Sequence, residues 1–141
     1  MNVARYRSDL TPILDAASDE VVARLRRFAD VATDGIVIEV FVDQDGEGPF
    51  DVWARFDGSD GFALDRRFDD ERHLFGVEWG EEGWVPEVPA RPRDWSRDDL
   101  ETELVDIVAN WLSGLIPDHP STLCWELGAP GTSMRTGRRP G

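Results

Sequence analysis

The chain has 141 residues and a formal charge of −14, with two histidines, one cysteine and six tryptophans. That length predicts one domain with its own hydrophobic core, and 40% hydrophobic with 31% charged residues is a globular composition, not a disordered one. No apolar run approaches the roughly 20 residues of a membrane helix, and residues 1–8 carry Arg5 and Arg7 without the apolar stretch of a signal peptide.

The basic residues are all arginine, 15 of them, with no lysine. Codon bias in a GC-rich genome explains the choice, and it has a chemical consequence. Without lysine there is no Schiff base, no amine nucleophile and no phosphate-loop lysine, which excludes pyridoxal-type, aldolase-type and Walker-A nucleotide chemistry. The net charge repels DNA, RNA and anionic lipid, so neither nucleic acid nor membrane is expected as a partner. A basic protein surface is the complementary one, and acidic steering speeds such encounters; acidity also serves solubility alone. The charge is unevenly placed. Residues 1–127 hold all 29 acids against 12 arginines, a balance of −17, while residues 128–141 (GAPGTSMRTGRRPG) hold Arg135, Arg138 and Arg139 and no acid. The expected organisation is a single domain over 1–127 and a disordered basic tail over 128–141, too sparsely charged for a nucleic-acid arm. Cys124 stands alone, so no intramolecular disulfide forms, and with no export signal a reducing cytoplasm is expected.

From the N-terminus, Val3, Tyr6, Leu10, Ile13, Ala17, Val21, Leu25, Phe28 and Ala32 recur at the steps of a one-sided helix. Thr11 as a cap, with Pro12 in the first turn, divides this pattern into a short arm and a main helix over residues 12–32, which Asp34-Gly35 ends. Residues 36–43 (IVIEVFVD) and 50–57 (FDVWARFD) are alternating strands joined by DQDGEGP as a hairpin. Pairing Val42 with Val52, Val40 with Ala54 and Ile38 with Phe56 makes one face wholly apolar. It sets Phe41 opposite Trp53 and Glu39 opposite Arg55 on the other; a one-residue slip would mix the faces. Gly58 to Gly61 is a turn, residues 62–65 a short strand, 66–72 a loop or single helical turn, and 74–79 a further strand that GEEG turns toward Trp84-Val85. PEVPARPRDW is an extended connection. The second helix opens at Ser96, with Asp98, Asp99, Glu101 and Glu103 at its positive end and a hydrophobic staple of Trp95 with Leu100. Leu100, Leu104, Ile107, Val108, Trp111, Leu112 and Leu115 form its apolar face, Pro117 stops it, and residues 121–127 (STLCWEL) are a last strand. This order predicts an α+β fold: an antiparallel sheet of four to six strands, with an N-terminal helix and a C-terminal amphipathic helix packed on one face.

Few patterns bear on chemistry. In DQDGEG, Asp43, Asp45, Glu47 and Gly48 take the first, third, fifth and sixth places of a calcium-binding EF-hand loop, and Asp51 the ninth. Ala54 stands at the twelfth, where a bidentate Glu is required, and the flanks are strands, so the segment reads as an acidic hairpin tip. His73, next to Asp69, Asp70 and Glu71, is a candidate acid/base group, weighed against a solvated histidine in a charged loop. His119 and Cys124 lack the ligand spacing of a zinc site; a thiol dyad between them is weighed against a buried strand cysteine. No metal, cofactor or catalytic residue is implied, and the nucleophile-elbow, dinucleotide and zinc-protease motifs are absent. Trp95, Trp111 and Trp125 are read as core, and Trp79 and Trp84 as a pair across GEEG. Phe41 with Trp53 is different. This pair falls on the face opposite the aliphatic one, beside Glu39 and Arg55, and there it marks an interface or ligand site unless a loop, the tail or the last strand covers it.

The stretch IEVFVDQDGEGPFDVWARFDG, followed by LFGVEW and a C-terminal amphipathic helix, resembles a family of small acidic proteins of high-GC actinobacteria, a domain of unknown function, over most of residues 10–116. The resemblance implies no catalytic residue. Size, acidity and layout are also similar to toxin-immunity proteins and class I secretion chaperones, with no shared motif. The function expected is a non-catalytic cytoplasmic module that engages a basic partner protein through Phe41, Trp53, Glu39 and Arg55. The alternative is a small enzyme or ligand-binding protein with an aromatic-lined pocket, whose polar groups are Glu39, Arg55 and His73. A homodimer through the aromatic face is compatible with either.

Overall fold

The computed structural model describes residues 3–31, 35–43, 46–59, 61–81, 83–115, 124–128 and 135–137. Two helices open the chain, α1 (Val3–Ala16) and α2 (Ser18–Val31). Pro12 lies inside α1 and not at a helix start. Proline removes one backbone donor, and Ser8, whose carbonyl loses it, is an exposed residue. Thr11 is no cap: its Oγ1 donates to the Arg7 carbonyl at 2.7 Å. The break falls at Ala17, after which Asp19 and Glu20 load the positive end of α2. Tyr6, Leu10, Val21, Leu25 and Phe28 of the expected stripe are buried, whereas Leu14 takes the core position expected of Ile13, which with Ala17 is only partly buried.

Strands β1 (Gly35–Val42) and β2 (Phe50–Asp57) form the hairpin at the centre of a five-stranded sheet. Their faces are those the alternation predicts, but the partners differ by two residues. Val42 pairs with Phe50, Val40 with Val52, Ile38 with Ala54 and Ile36 with Phe56. A two-residue shift leaves every side chain on its own face, so periodicity alone cannot see it. It is settled by packing: the tighter loop brings Phe50 into the core, where it stacks on Phe75 at 5.1 Å.

Residues 62–65, expected as a strand, belong to the helix α3 (Gly61–Phe68), followed by a 3₁₀ turn over Asp69–Arg72. The helix returns onto the edge of β2, where Asp65 Oδ1 accepts the Phe56 N–H at 2.8 Å and Phe68 enters the core beside Phe28 and Phe56. Eight residues with so few buried positions leave no readable period. The strand expected over 74–79 is divided. β3 (His73–Phe75) pairs with β2, whereas β4 (Glu78–Gly80) leaves the sheet and pairs with β5 (Gly83–Val85), setting Trp79 opposite Trp84.

Helix α4 (Arg97–Ser113) opens as the sequence predicts. Ser96 Oγ accepts the Asp99 N–H at 3.0 Å, and the Asp99 carboxylate accepts the Ser96 N–H at 2.9 Å. Its buried face is Leu100, Leu104, Ile107, Val108 and Leu112. Arg7 on α1 is hydrogen-bonded to Asp106 and Glu103 on α4, which raises the guanidinium pKa and ties the two helices together. The chain then returns as β6 (Cys124–Gly128), parallel to β1. The sheet is therefore mixed, not antiparallel throughout, because a helix carries the chain back across it. β7 (Arg135–Gly137) pairs antiparallel with β6, so these three residues of the stretch expected to be disordered extend the sheet, in the order β3-β2-β1-β6-β7. Pro117 and His119 lie outside the described residues. The fold is α+β, with α1, α2 and α4 contributing to one core on one face of the sheet.

Candidate functional site

Alternation sends Val37, Glu39 and Phe41 of β1, and Asp51, Trp53 and Arg55 of β2, to the face away from that core. In the observed ladder Phe41 stands opposite Asp51, and Glu39 opposite Trp53. The pairs expected to face each other directly, Phe41 with Trp53 and Glu39 with Arg55, are therefore diagonal neighbours. The ionic pair closes along its diagonal, with Arg55 Nε donating to Glu39 Oε1 at 3.1 Å.

β3 adds His73. Because Val52 pairs with Phe75, an unbroken ladder would bring Leu74 to Trp53; an irregularity between Val52 and Trp53 sets His73 there instead. The imidazole stacks on the Trp53 indole with centroids 4.5 Å apart and planes 13° from parallel. Its Nε2 lies 2.8 Å from Asp51 Oδ1. Gly76 makes room for this arrangement, since a methyl group there would fall into the imidazole and against Asp51 Oδ1. His73 is thus a strand residue held by Asp51, not a solvated loop histidine governed by the acidic run before it. Arg72 flanks the same indole, its guanidinium carbon 5.6 Å from the ring centroid. Its Nη1 donates to the Ala54 carbonyl at 3.2 Å and lies 3.9 Å from Asp65 Oδ1.

Phe41, Trp53, Glu39 and Arg55 line one shallow cavity of about 350 Å³, together with Asp51, Asp65 and Arg72. Phe41 is 40% exposed, whereas Val37 on the same face is 2% exposed, so the face is closed around Val37 and opens toward Phe41. The cavity presents aromatic rings and paired ionic groups of both signs, with the His73–Asp51 pair beside it. Sequence reasoning missed Asp51, Asp65 and Arg72. Asp51 had a signal: it is two residues from Trp53 on one strand, hence on the same face. Arg72 and Asp65 had none, because their approach depends on α3 folding back onto β2.

The hairpin tip, weighed above as a calcium loop, is fastened by arginines. Arg91 Nε donates to the Gly46 carbonyl at 2.7 Å, and Arg97 donates to the Val42 and Asp43 carbonyls at 3.2 and 3.4 Å. Asp45, His119 and the Cys124 side chain lie outside the described residues. Among the described residues no three His, Cys, Asp or Glu side chains converge as a metal site, and no helix is long and apolar enough to cross a membrane.

No curated protein and no solved structure matches the chain. A family model matches residues 1–137, and the chain belongs to that family, described as a family of unknown function (DUF6389).

Proposed function

We propose that the chain is a non-catalytic acidic protein-binding module that holds a basic partner on the open face of its sheet, at Phe41, Trp53, Glu39 and Arg55. Phe41 carries the reading. It is a phenylalanine 40% exposed in a strand whose other apolar side chains are buried, and it borders a cavity walled by Trp53 and ionic groups. Exposed aromatics in such surroundings are the usual anchors of protein interfaces, and a charge of −14 steers a basic partner toward them. A cytoplasmic, immunity- or chaperone-like role accords with the size, acidity and α+β layout. The test is capture on the tagged protein from its native lysate at low salt, with Phe41→Ala plus Trp53→Ala as control. A near-stoichiometric basic protein is expected with the wild type alone, and its association slows as salt rises. Equal retention by the double variant removes the site.

The His73–Asp51 pair favours a second reading, a small enzyme or ligand-binding protein. Its imidazole is held against Trp53 beside a cavity of a size that small ligands occupy. That reading expects an empty capture and a change in tryptophan fluorescence with a small metabolite. A homodimer through the same face would appear in light scattering as a dimer mass lost with Phe41→Ala.

A further inference from the structure

A second cleft adjoins the first and shares Phe41 and Asp51 with it. It has a volume of about 430 Å³ and lies between the loop end of the β1–β2 hairpin and the β4–β5 ribbon. Trp79 and Trp84, paired across the ribbon, contribute two aromatic walls and Phe41 a third. Trp84 is set by the hairpin loop: Gly48 has φ 151°, and a side chain there would meet the indole of Trp84 and the Pro89 carbonyl. Trp79 is 79% exposed and Phe41 40%, so neither ring is used up by the core.

The charged side chains lining this cleft are Asp43, Asp51 and Glu78, all carboxylates. Asp51 holds His73, while Asp43 and Glu78 form no ion pair among the described residues. In the neighbouring cavity Arg55 and Arg72 stand against Glu39 and Asp65; here no arginine is among the described lining residues. Arg97 comes close, but its donors go to the Val42 and Asp43 carbonyls and to Glu101. Three aromatic side chains and three carboxylates therefore line the cleft, with no cationic side chain among its described lining residues. Aromatic rings attract cations over their faces. A guanidinium can stack on such a ring and fork onto a carboxylate at once, and it is more weakly hydrated than an ammonium.

We propose that this cleft receives an arginine side chain of the basic partner, its guanidinium stacked on Trp79 and Phe41 and facing Asp43, Asp51 and Glu78. The inference rests on the reading of the chain as a module for a basic protein, and it names the residue type that the module recognises.

The probe is N-acetylarginine amide, titrated into the isotope-labelled full chain with the indole N–H resonances as readout. The citrulline analogue, of the same shape and without charge, is the control. The arginine probe is expected to shift the Trp79 and Trp84 signals selectively, and citrulline to leave them in place. Trp79→Ala and Glu78→Gln should each weaken binding roughly tenfold, and Asp57→Asn at the far end of β2 should leave it unchanged. Equal shifts with citrulline, or arginine shifts spread over the acidic surface and indifferent to Trp79→Ala, overturn the proposal. The probe needs no partner, so the two readings fail separately. Selective arginine binding with an empty capture keeps the cleft and removes the module. A partner retained equally by wild type and Trp79→Ala, with no arginine shift, keeps the module and removes the cleft.

Discussion

The two faces of the β1–β2 hairpin are built from alternate residues of the same strands and are finished in opposite ways. On the helix side Ile36, Ile38, Val40, Val52 and Ala54 join Leu25, Phe28 and Leu104 in one core, and no charged residue among the described ones is buried. On the other side ionic and aromatic residues alternate, their pairs run along diagonals, and Phe41 faces solvent. One face holds the fold together while the other is free to vary in chemistry. A sheet organised in this way allows a recognition surface to change without repacking the core.

The largest expected effect sets one face against the other. Phe28 is fully buried and meets Phe56 and Phe68 edge-on at 5.4 and 5.0 Å. Phe28→Ala should lower stability in urea unfolding by about 3–5 kcal/mol. Phe41→Ala, also a phenylalanine in contact with the sheet, should change it by only about 0.5 kcal/mol. Comparable losses for the two would mean that the Phe41 face is closed by packing, and the contrast would collapse.

A smaller effect sharpens the contrast from within the open face. Gly76→Ala places a methyl group in the space of the His73 ring. The ring is half-buried and can swing outward, so a stability loss of about 1–2 kcal/mol is expected. The more specific sign is in the His73 ring protons, which lie over the Trp53 indole and should move toward free-imidazole positions once the stack opens. Unmoved His73 resonances in Gly76→Ala would show that the stack is not held by this packing.

Legibility in the sequence follows the same division. The face assignment of β1 and β2, the Ser96 cap, the α4 stripe and the cross-ribbon pairing of Trp79 with Trp84 were readable, because each rests on a local rule of period or capping. The register was not, since a shift of two residues preserves alternation and only the packing of Phe50 distinguishes the alternatives. Nor was the direction of β6, which depends on where α4 delivers the chain. Glu39, Phe41, Trp53 and Arg55 could be placed on one face by parity alone. The contributions of Arg72 and Asp65 could not, because residues 62–65 alternate too briefly to separate strand from helix, and it is α3 and the 3₁₀ turn after it that set Arg72 over Trp53 and Asp65 beside Arg72.

The smallest expected effect asks how apolar the helix side is. Tyr6 is 3% exposed, its ring 5.1 Å from that of Trp95, and its hydroxyl has no hydrogen-bond partner among the described residues. Burial pushes the hydroxyl pKa above its ordinary value of 10.0. Above that value the unfolded chain loses the proton while the folded chain keeps it. The stabilisation is therefore complete at lower pH and is lost as pH rises from there through the folded-state value. Tyr6→Phe removes an unpaired polar group and should raise stability at neutral pH by about 1 kcal/mol, while making the alkaline loss shallower. Tyr6 is the only tyrosine in the chain, so tyrosinate absorbance reads this site alone. A loss of stability in Tyr6→Phe would show that the hydroxyl is bonded in the native protein. An ordinary tyrosinate midpoint in the folded state would show that water reaches the ring. Either result would place a polar seam inside the apolar face and narrow the difference between the two sides of the sheet.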